Sequence, residues 1–283
     1  MTDKEEEMTE FDLLQEDIKD KSKHTIKAYK SAYRKLQSLL KKDIYPADQK
    51  TIIELIENEK NKNSQQALLN IAILVKRLYK RKTNLLEEQR EVNKKNIIDT
   101  VKKTNDKIVL PTLNEIEEYI DYLYENSQWA DYIINYLLIN FQVRNEDINF
   151  EIISKKGLAI DKNKNYMWLS PKGKIVYIRN RYKTNQTYGK KEHEIKDKEF
   201  LVALRRIKAR GDILIPNDNQ VGYYVMKATY KNIGEGNYFK ILVNAYKSNL
   251  QKLKKMAENR GSSLNVIATN YDIDLKTDEE EKE

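Results

Sequence analysis

The chain has 283 residues, which is long enough for two ordinary domains that each bury a core of their own. It contains no cysteine and only two histidines, His24 and His193, which excludes disulfides and thiolate chemistry and argues against a zinc site. We therefore expect its chemistry to need no metal or other cofactor. There is no run of about 18 apolar residues and no charged-then-apolar leader, so we expect no membrane span and an intracellular protein, in the cytoplasm or nucleus.

The formal net charge of +8 is spread unevenly along the chain. Acidic residues are concentrated in residues 1–20 and 276–283, which we expect to be solvated tails, and the middle of the chain is correspondingly basic. Such a body attracts phosphodiesters or acidic partners. A genome biased towards Lys, Asn and Ile would produce the same surface without a nucleic-acid ligand, so charge alone leaves both interpretations open.

The segment from residue 22 to residue 42, SKHTIKAYKSAYRKLQSLLKK, shows two stripes with helical spacing. Ser22 can cap the helix, and one stripe is apolar and predicts a core-facing side, with Ile26, Tyr29, Tyr33, Leu36 and Leu40. The second stripe is cationic, is rotated by about 100° and would face a partner: Lys23, Lys27, Lys30 and Arg34. Further helices at about 48–58, 64–82 and 84–103 complete the prediction of a helical, DNA-binding domain over residues 21–103.

A break in the apolar pattern at residues 103–112 predicts a linker before a second domain. After Pro111 the sequence TLNE offers a capping box. The pattern that follows predicts a mostly helical α+β domain over residues 112–275. Its predicted helices are at about 113–126, 129–141, 198–209, 220–230, 237–248, 250–259 and 264–270, and its predicted strands are at 158–160, in YMWLS, and in a hairpin of KIVYIRNRYK with KEHEI.

Two cationic residues stand where they could meet a ligand, the first fixed by rigid structure and the second at a mobile hairpin tip. Arg144 follows a strongly apolar helix in FQVRNEDI, and a fixed guanidinium suits bidentate binding of a phosphate. The alternative is an ion pair of Arg144 with Glu146 or Asp147. Lys183 is at the tip of the predicted hairpin, in RYKTNQTYG, where an ammonium could protonate a leaving oxygen. The alternative for Lys183 is an ordinary exposed turn lysine.

Together these stretches resemble the tyrosine recombinase (phage integrase) family, from about residue 20 to Tyr271. In that family an α-helical core-binding domain precedes a mixed catalytic domain, and Arg144 and Lys183 match its first arginine and its hairpin lysine. The family's glycine followed by His or Trp corresponds to Gly261 and Ser262. Its nucleophilic tyrosine, about nine residues later, corresponds to Tyr271.

The sequence departs from that family at the His-x-x-Arg motif. Asn237 stands in the place of the histidine, and an amide cannot transfer protons. Lys240 stands in the place of the second arginine and keeps its charge without the planar fork. Ser262 replaces the His or Trp that would brace the phosphate. The resemblance therefore implies a divergent member with a degenerate catalytic set.

The resemblance implies a protein that breaks and rejoins DNA without a metal. Tyr271 would attack a phosphate and form a 3′-phosphotyrosyl link, while Arg144 and Lys240 would hold the phosphate oxygens. Lys183 would protonate the leaving 5′-hydroxyl. The implied partner is duplex DNA, on which a homo-oligomer could form, and its contacts would come from the cationic stripe of the first domain and from Arg179, Arg181, Lys190 and Lys191 of the second.

Two alternatives stay open. One is a catalytically inactive relative that binds DNA as an architectural protein. The other is a structural protein of the same fold with no nucleic-acid ligand.

Overall fold

The structure is a computed structural model that describes residues 8–105, 109–211 and 214–271; the side chains of Lys23, Asp218, residues 101–105 and residues 269–271 lie outside that description. The chain divides into two compact units, Met1–Ile108 and Val109–Glu283. The described part is mostly helical with one small mixed sheet, so the expected α+β class is confirmed at that level. None of the helices within it combines the length and the apolar character needed to cross a bilayer.

The first unit is helical throughout its described residues. Ser22 caps the second helix as predicted, because its Oγ accepts the backbone N–H of Thr25 at 3.1 Å. The apolar stripe of that helix packs into the core, where Tyr33 and Leu36 are almost completely buried. The helices are α1 (Glu10–Ile18), α2 (Lys23–Leu40), α3 (Gln49–Glu57), α4 (Lys62–Leu78) and α5 (Asn84–Asn105).

Helix α1 corrects the prediction of an acidic tail over residues 1–20 for the described part of that range, residues 8–20. Leu14 and Ile18 are fully buried in the core of the first unit. The buried carboxylate of Glu10 accepts two backbone N–H groups of the loop that follows α2, at 3.0 and 2.7 Å. The apolar i, i+4 spacing therefore decides the structure of this segment, in spite of its acidic composition. The same prediction for residues 276–283 concerns residues outside the described part.

The second unit combines a four-stranded sheet with helices. Thr112 caps its first helix through the expected capping box with Glu115. The elements are α6 (Leu113–Glu125), α7 (Trp129–Phe141), β1 (Phe150–Ile153), β2 (Asn165–Leu169), β3 (Ile175–Arg179), α8 (Asn185–Tyr188), β4 (Lys191–Ile195), α9 (Lys198–Arg210), α10 (Val221–Ala228), α11 (Gly234–Ala245), α12 (Leu250–Arg260) and α13 (Leu264–Tyr271).

The sheet has the order β1-β2-β3-β4, with β1 parallel to β2 and the other neighbours antiparallel. The predicted hairpin is confirmed, since β3 and β4 pair with Arg179 opposite Lys191. The predicted strand at 158–160 is wrong, because a short 3₁₀ turn ends at Leu158 and the first strand is β1. Buried residues of α7, α9 and the sheet form one core, which fixes the end of α7 and the end of β3.

Candidate functional site

Arg144 is held by the C-terminal end of α12. The chain leaves α7 through Gln142, which has a left-handed φ of 48°. The Nη1 of Arg144 donates to the carbonyl of Arg260 at 2.8 Å, and Nη2 donates to the Oγ of Ser262 at 3.2 Å. The half-buried guanidinium therefore has two of its five N–H donors engaged by the protein.

No carboxylate of the described residues forms an ion pair with Arg144. Asp147 accepts the backbone N–H of Arg144 at 3.0 Å, but its ion pair is with Arg179, and Glu146 is exposed. The alternative prediction, an ion pair of Arg144 with Glu146 or Asp147, is therefore wrong. Burial, followed by the nearby guanidinium of Arg260, lowers the pKa of Arg144. The positive charge of Arg144 consequently stands in an environment that disfavours it.

Arg179 is fully buried, which corrects the prediction that it contacts DNA. Its guanidinium forms an ion pair with Asp147, which is also fully buried. It also donates to the carbonyl of Asn259 at 2.6 Å. Every residue of β3 is buried, so the end of this strand offers no surface for a nucleic acid. Arg179 is thus an internal connection between β3 and α12.

Four consecutive carbonyls, from residue 258 to residue 261, accept side-chain hydrogen bonds at the end of α12. Carbonyls at a helix C-terminus lack most of their intrahelical partners and lie at the negative end of the helix dipole, so they suit cationic donors. In carbonyl order, the donors are Lys191, Arg179, Arg144 and Thr184. The ends of α7, α12 and the β3–β4 hairpin therefore meet at one place.

Lys191 has an unusual environment for a lysine. Its Nζ contacts the carbonyl of Glu258 and lies 5.0 Å from the ring centroid of Tyr182. Burial, then the charge of Arg179, lowers its pKa to about 8, and Arg144 acts in the same direction. None of the described carboxylates lies within ion-pair distance of it. Lys191 was predicted only as one of several DNA contacts, and its binding to the same helix end as Arg144 was not predicted from the sequence.

Arg260 is a further cation at the end of α12. Its guanidinium forms an ion pair with Glu235 of α11, and both side chains are largely buried. The guanidinium carbon lies 4.0 Å from the ring centroid of Phe239. The charge of Arg260 is therefore neutralised within the protein.

Four cations thus meet near the end of α12, and only two of them have a carboxylate partner among the described residues. Arg179 is paired with Asp147, and Arg260 is paired as described above. Arg144 and Lys191 are not so paired, and we refer to them as the cation pair. An anion with several acceptor oxygens would suit the positive charge of the cation pair.

The structure brings some of the predicted catalytic residues together. Ser262 accepts a hydrogen bond from Arg144 through its hydroxyl, and Gly261 lies in the chain between Ser262 and Arg260, whose carbonyl is the other acceptor of Arg144. The side chain of Lys183 is exposed, although its neighbours on both sides pack against Gly261. Lys183 therefore lies between two residues that contact the site, but its own side chain is not held by the site.

Asn237 and Lys240 both lie inside α11, which begins at Gly234 and not near residue 237 as predicted. The Nδ2 of Asn237 donates to the carbonyl of Ile233 at 2.8 Å, so its amide is engaged within its own helix. Lys240 is half-buried and follows Phe239, whose ring contacts the guanidinium of Arg260. Helix α11 therefore borders the cation cluster, by which we mean the four cations at the end of α12: Arg144, Arg179, Lys191 and Arg260.

Tyr271 is the last residue of α13, and its side chain lies outside the described part. Helix α13 starts directly after Ser263, whose Oγ accepts the backbone N–H of Val266 at 3.3 Å, and it packs through the buried Ile267. The chain thus passes from Ser262 to Tyr271 through one short helix. The role of Tyr271 as nucleophile stays a prediction.

The predicted cationic stripe of α2 is only partly open to solvent. Lys27 and Arg34 are exposed. Lys30 is half-buried and donates to the Oε1 of Gln15, on α1, at 2.6 Å. The side chain of Lys23 lies outside the described part. Lys27 and Arg34 are therefore the described members of the stripe that are most accessible to a partner.

The two remaining predicted DNA contacts, Arg181 and Lys190, are exposed in the connection between β3 and β4. Lys190 forms an exposed ion pair with Glu192 at 2.7 Å. Exposed pairs of this kind contribute little to stability, so they are readily exchanged for another anion. Both residues stay predicted contacts of a polyanion.

No known family model matches the chain, and no curated protein is significantly similar to it. In the part of the chain that the structure describes, no three or more His, Asp or Glu side chains are grouped so as to hold a metal ion. The candidate function therefore depends on the cation cluster itself.

Proposed function

We propose that the chain binds duplex DNA and that the cation pair, Arg144 and Lys191, binds one backbone phosphate. The observation that carries this proposal is that two half-buried cations, which donate to the consecutive carbonyls of residues 259 and 260, have no carboxylate partner among the described residues. A buried charge without a partner is unfavourable, and an anion bound between the two would remove that cost. This favours a negatively charged ligand at the end of α12.

The free donors of the cation pair suit phosphate oxygens. Arg144 uses two of its five N–H groups on the protein, and Lys191 uses two of its three on the carbonyls of Glu258 and Asn259. Three guanidinium donors and one ammonium donor have no hydrogen bond to the residues that the structure describes. Because both side chains are already held by the protein, these donors need little reorganisation to form charge-assisted hydrogen bonds.

Cations outside the cluster support a polymer of phosphates over a single small anion. Lys27 and Arg34 are exposed on the first unit, and Arg181 is exposed on the second. The whole chain has a formal net charge of +8. Several separate phosphate contacts, each releasing counterions, are the usual source of protein affinity for DNA.

For DNA cleavage we propose Tyr271 as the nucleophile, in keeping with the resemblance to tyrosine recombinases. Its phenol oxygen would bond to phosphorus as the bond to the 5′ oxygen breaks, and the leaving oxygen would take up a proton. The phenol proton must pass to a base or to water. The resulting 3′-phosphotyrosine conserves the phosphodiester energy, so rejoining needs no nucleotide.

A second candidate function is DNA binding without cleavage. It is favoured by the amide of Asn237, which is engaged by the carbonyl of Ile233 and cannot transfer a proton. At the position of Lys240, an ammonium lacks the planar fork with which a guanidinium binds two phosphate oxygens at once. Losses of a few kcal/mol at each position slow a reaction by orders of magnitude.

Binding is tested by fluorescence anisotropy with a labelled duplex at constant salt. We expect Arg144→Gln to weaken binding by about 10- to 100-fold, which corresponds to the loss of one or two charge-assisted hydrogen bonds. The matched control is Lys172→Gln, which removes one exposed charge at the opposite end of β3. Equal affinities of the two variants would contradict the proposal.

Cleavage is tested by incubation with nicked duplexes, followed by denaturing electrophoresis for a protein-bound strand. We expect an adduct that forms very slowly or not at all, and that is absent from Tyr271→Phe. Adduct formation at ordinary enzymatic rates would remove the second candidate. An adduct that persists in Tyr271→Phe would show that another residue is the nucleophile.

A further inference from the structure

Gly261 ends α12 at a point where the chain has no room for a side chain. A Cβ at this position would overlap the Oγ1 of Thr184 and would lie 3.0 Å from the Cε2 of Tyr182. The same Thr184 hydroxyl donates to the carbonyl of Gly261 at 2.7 Å. The loop of the β3–β4 hairpin therefore lies directly against the backbone of residue 261.

The crowding at Gly261 is separate from its backbone conformation. Gly261 has a φ of 65°, which an L-residue adopts only with strain. Gly211 ends α9 with a φ of 66°, yet a Cβ added there would meet nothing within 4 Å. Both glycines thus end a helix in the left-handed conformation, and only Gly261 is also approached closely by another segment.

The close approach at Gly261 lies between the hydrogen bonds that hold Arg144. The guanidinium donates to the residue before this glycine and to the residue after it, at 2.8 and 3.2 Å. The carbonyls of residues 258 and 259 accept from Lys191. A displacement of the hairpin loop relative to α12 would therefore change where these acceptors lie relative to Lys191, and a displacement of the end of α12 would change where they lie relative to Arg144.

We propose that Gly261 is a positioning residue for the phosphate site: its missing side chain lets the hairpin loop close on α12, and this closure holds Arg144 and Lys191 at the spacing that one phosphate needs. The proposal rests on the proposed function of the cation pair. It assigns Gly261 no contact with DNA. Its effect passes through Thr184 and through the carbonyls of residues 258–260.

A methyl group at residue 261 has a predictable effect. Either the Thr184 side chain turns away and loses its hydrogen bond to residue 261, or the loop and the helix end move apart. A shift approaching 1 Å is large for groups that must meet a ligand in fixed geometry. We expect Gly261→Ala to weaken duplex binding by about 10- to 100-fold. Removing the overlapping hydroxyl should then restore much of the affinity, although the hydrogen bond of Thr184 is lost.

The test compares duplex affinities of five proteins: the unaltered chain, Gly261→Ala, Thr184→Ala, the double variant of both, and Gly211→Ala. The last variant reproduces the left-handed strain without the overlap. We expect Gly211→Ala to bind within about threefold of the unaltered chain. We expect Thr184→Ala, which loses its hydrogen bond to residue 261, to bind more tightly than Gly261→Ala. We expect the double variant to bind more tightly than Gly261→Ala alone, which is the non-additive pattern of two groups in contact.

Thermal unfolding of every variant separates positioning from loss of fold. If Gly261→Ala alone unfolds, a folded double variant that binds DNA supports the proposal, and a folded double variant that does not bind overturns it. Gly261→Ala binding as well as Gly211→Ala also overturns it. If the role of Gly261 is overturned in this way, binding that still depends on Arg144 leaves the proposed function intact. An unaltered chain that binds no better than Arg144→Gln contradicts both the proposed function and the role of Gly261.

Discussion

Arg144 and Arg260 are 116 positions apart in the chain, and the guanidinium of the first donates a 2.8 Å hydrogen bond to the carbonyl of the second. This bond joins the segment after α7 to the last residue of α12. Since the acceptor is a backbone carbonyl, the direction of the Arg144 side chain depends on the position of a helix end. The guanidinium is thereby oriented before a ligand arrives, which is the arrangement that makes electrostatic binding effective.

The depressed pKa of Lys191 predicts pH-dependent DNA binding. Its pKa of about 8 reflects burial and the charges of Arg179 and Arg144, which outweigh the carboxylates of Asp147 and Glu258. The protonated ammonium binds an anion and the neutral amine does not. As pH rises from 7 to 9, Lys191 loses its proton, and we expect the affinity for duplex DNA to fall by up to about tenfold.

The control for this pH dependence is Lys191→Arg, which keeps its charge throughout the range. Its affinity should change much less between pH 7 and pH 9, when both proteins are measured by anisotropy at constant ionic strength. The same decline in Lys191→Arg would assign the effect to another group.

The buried ion pair of Asp147 and Arg179 predicts a large stability effect in the second unit. Asp147→Asn would leave the guanidinium of Arg179 buried without its anionic partner. We expect a loss of about 3–5 kcal/mol in the free energy of unfolding, measured with urea. Glu146→Gln, at the exposed neighbouring position, should change it by less than about 0.5 kcal/mol. Equal effects of the two substitutions would show that the pair is not formed.

The burial of helix α1 predicts that residues 10–18 stabilise the first unit. Leu14 is fully buried, so Leu14→Ala should lower the free energy of unfolding by about 2–5 kcal/mol. Asp17 is exposed on the same helix, and Asp17→Ala should have little effect. A solvated tail would make both substitutions neutral, so chemical denaturation of the two variants distinguishes the two structures.

The unequal exposure of the α2 lysines predicts unequal contributions to DNA binding. Lys27 is exposed, whereas Lys30 already donates to Gln15 at 2.6 Å. Replacing Lys27 by Gln should reduce the slope of log affinity against log salt by about 0.9, the value for one phosphate contact. Lys30→Gln should reduce it less. A larger reduction for Lys30 would mean that DNA displaces α1 from this side chain.

Local patterns were sufficient for much of the fold. The capping signals at Ser22 and Thr112 and the apolar spacing of α2 all mark features that form within a few residues of the chain. The acidic composition of residues 1–20 hid the apolar positions of α1, because composition averages over a spacing that only a helix reveals. Helices were therefore predicted more accurately where a capping signal and an apolar helical spacing occurred together.

The candidate site could be predicted only in part, because its defining contacts are distant in sequence. The apolar run of α7 correctly indicated that Arg144 would be held by rigid structure. Its acceptors lie at residues 260 and 262, and no local pattern reports that pairing. The partner of Arg179 is Asp147, 32 positions earlier, so a strand-end arginine could not be recognised as buried from its own surroundings.

The salt dependence of duplex binding tests most directly whether Arg144 and Lys191 bind one phosphate together. Three proteins are compared: the unaltered chain, the double variant Arg144→Gln with Lys191→Gln, and a control double variant. The control, Lys155→Gln with Lys172→Gln, removes two exposed charges at the opposite end of the sheet. We expect the first double variant to reduce the slope of log affinity against log salt by about 0.9, and the control to leave it unchanged. A slope that is the same in the unaltered chain and in the Arg144 and Lys191 double variant would contradict the account.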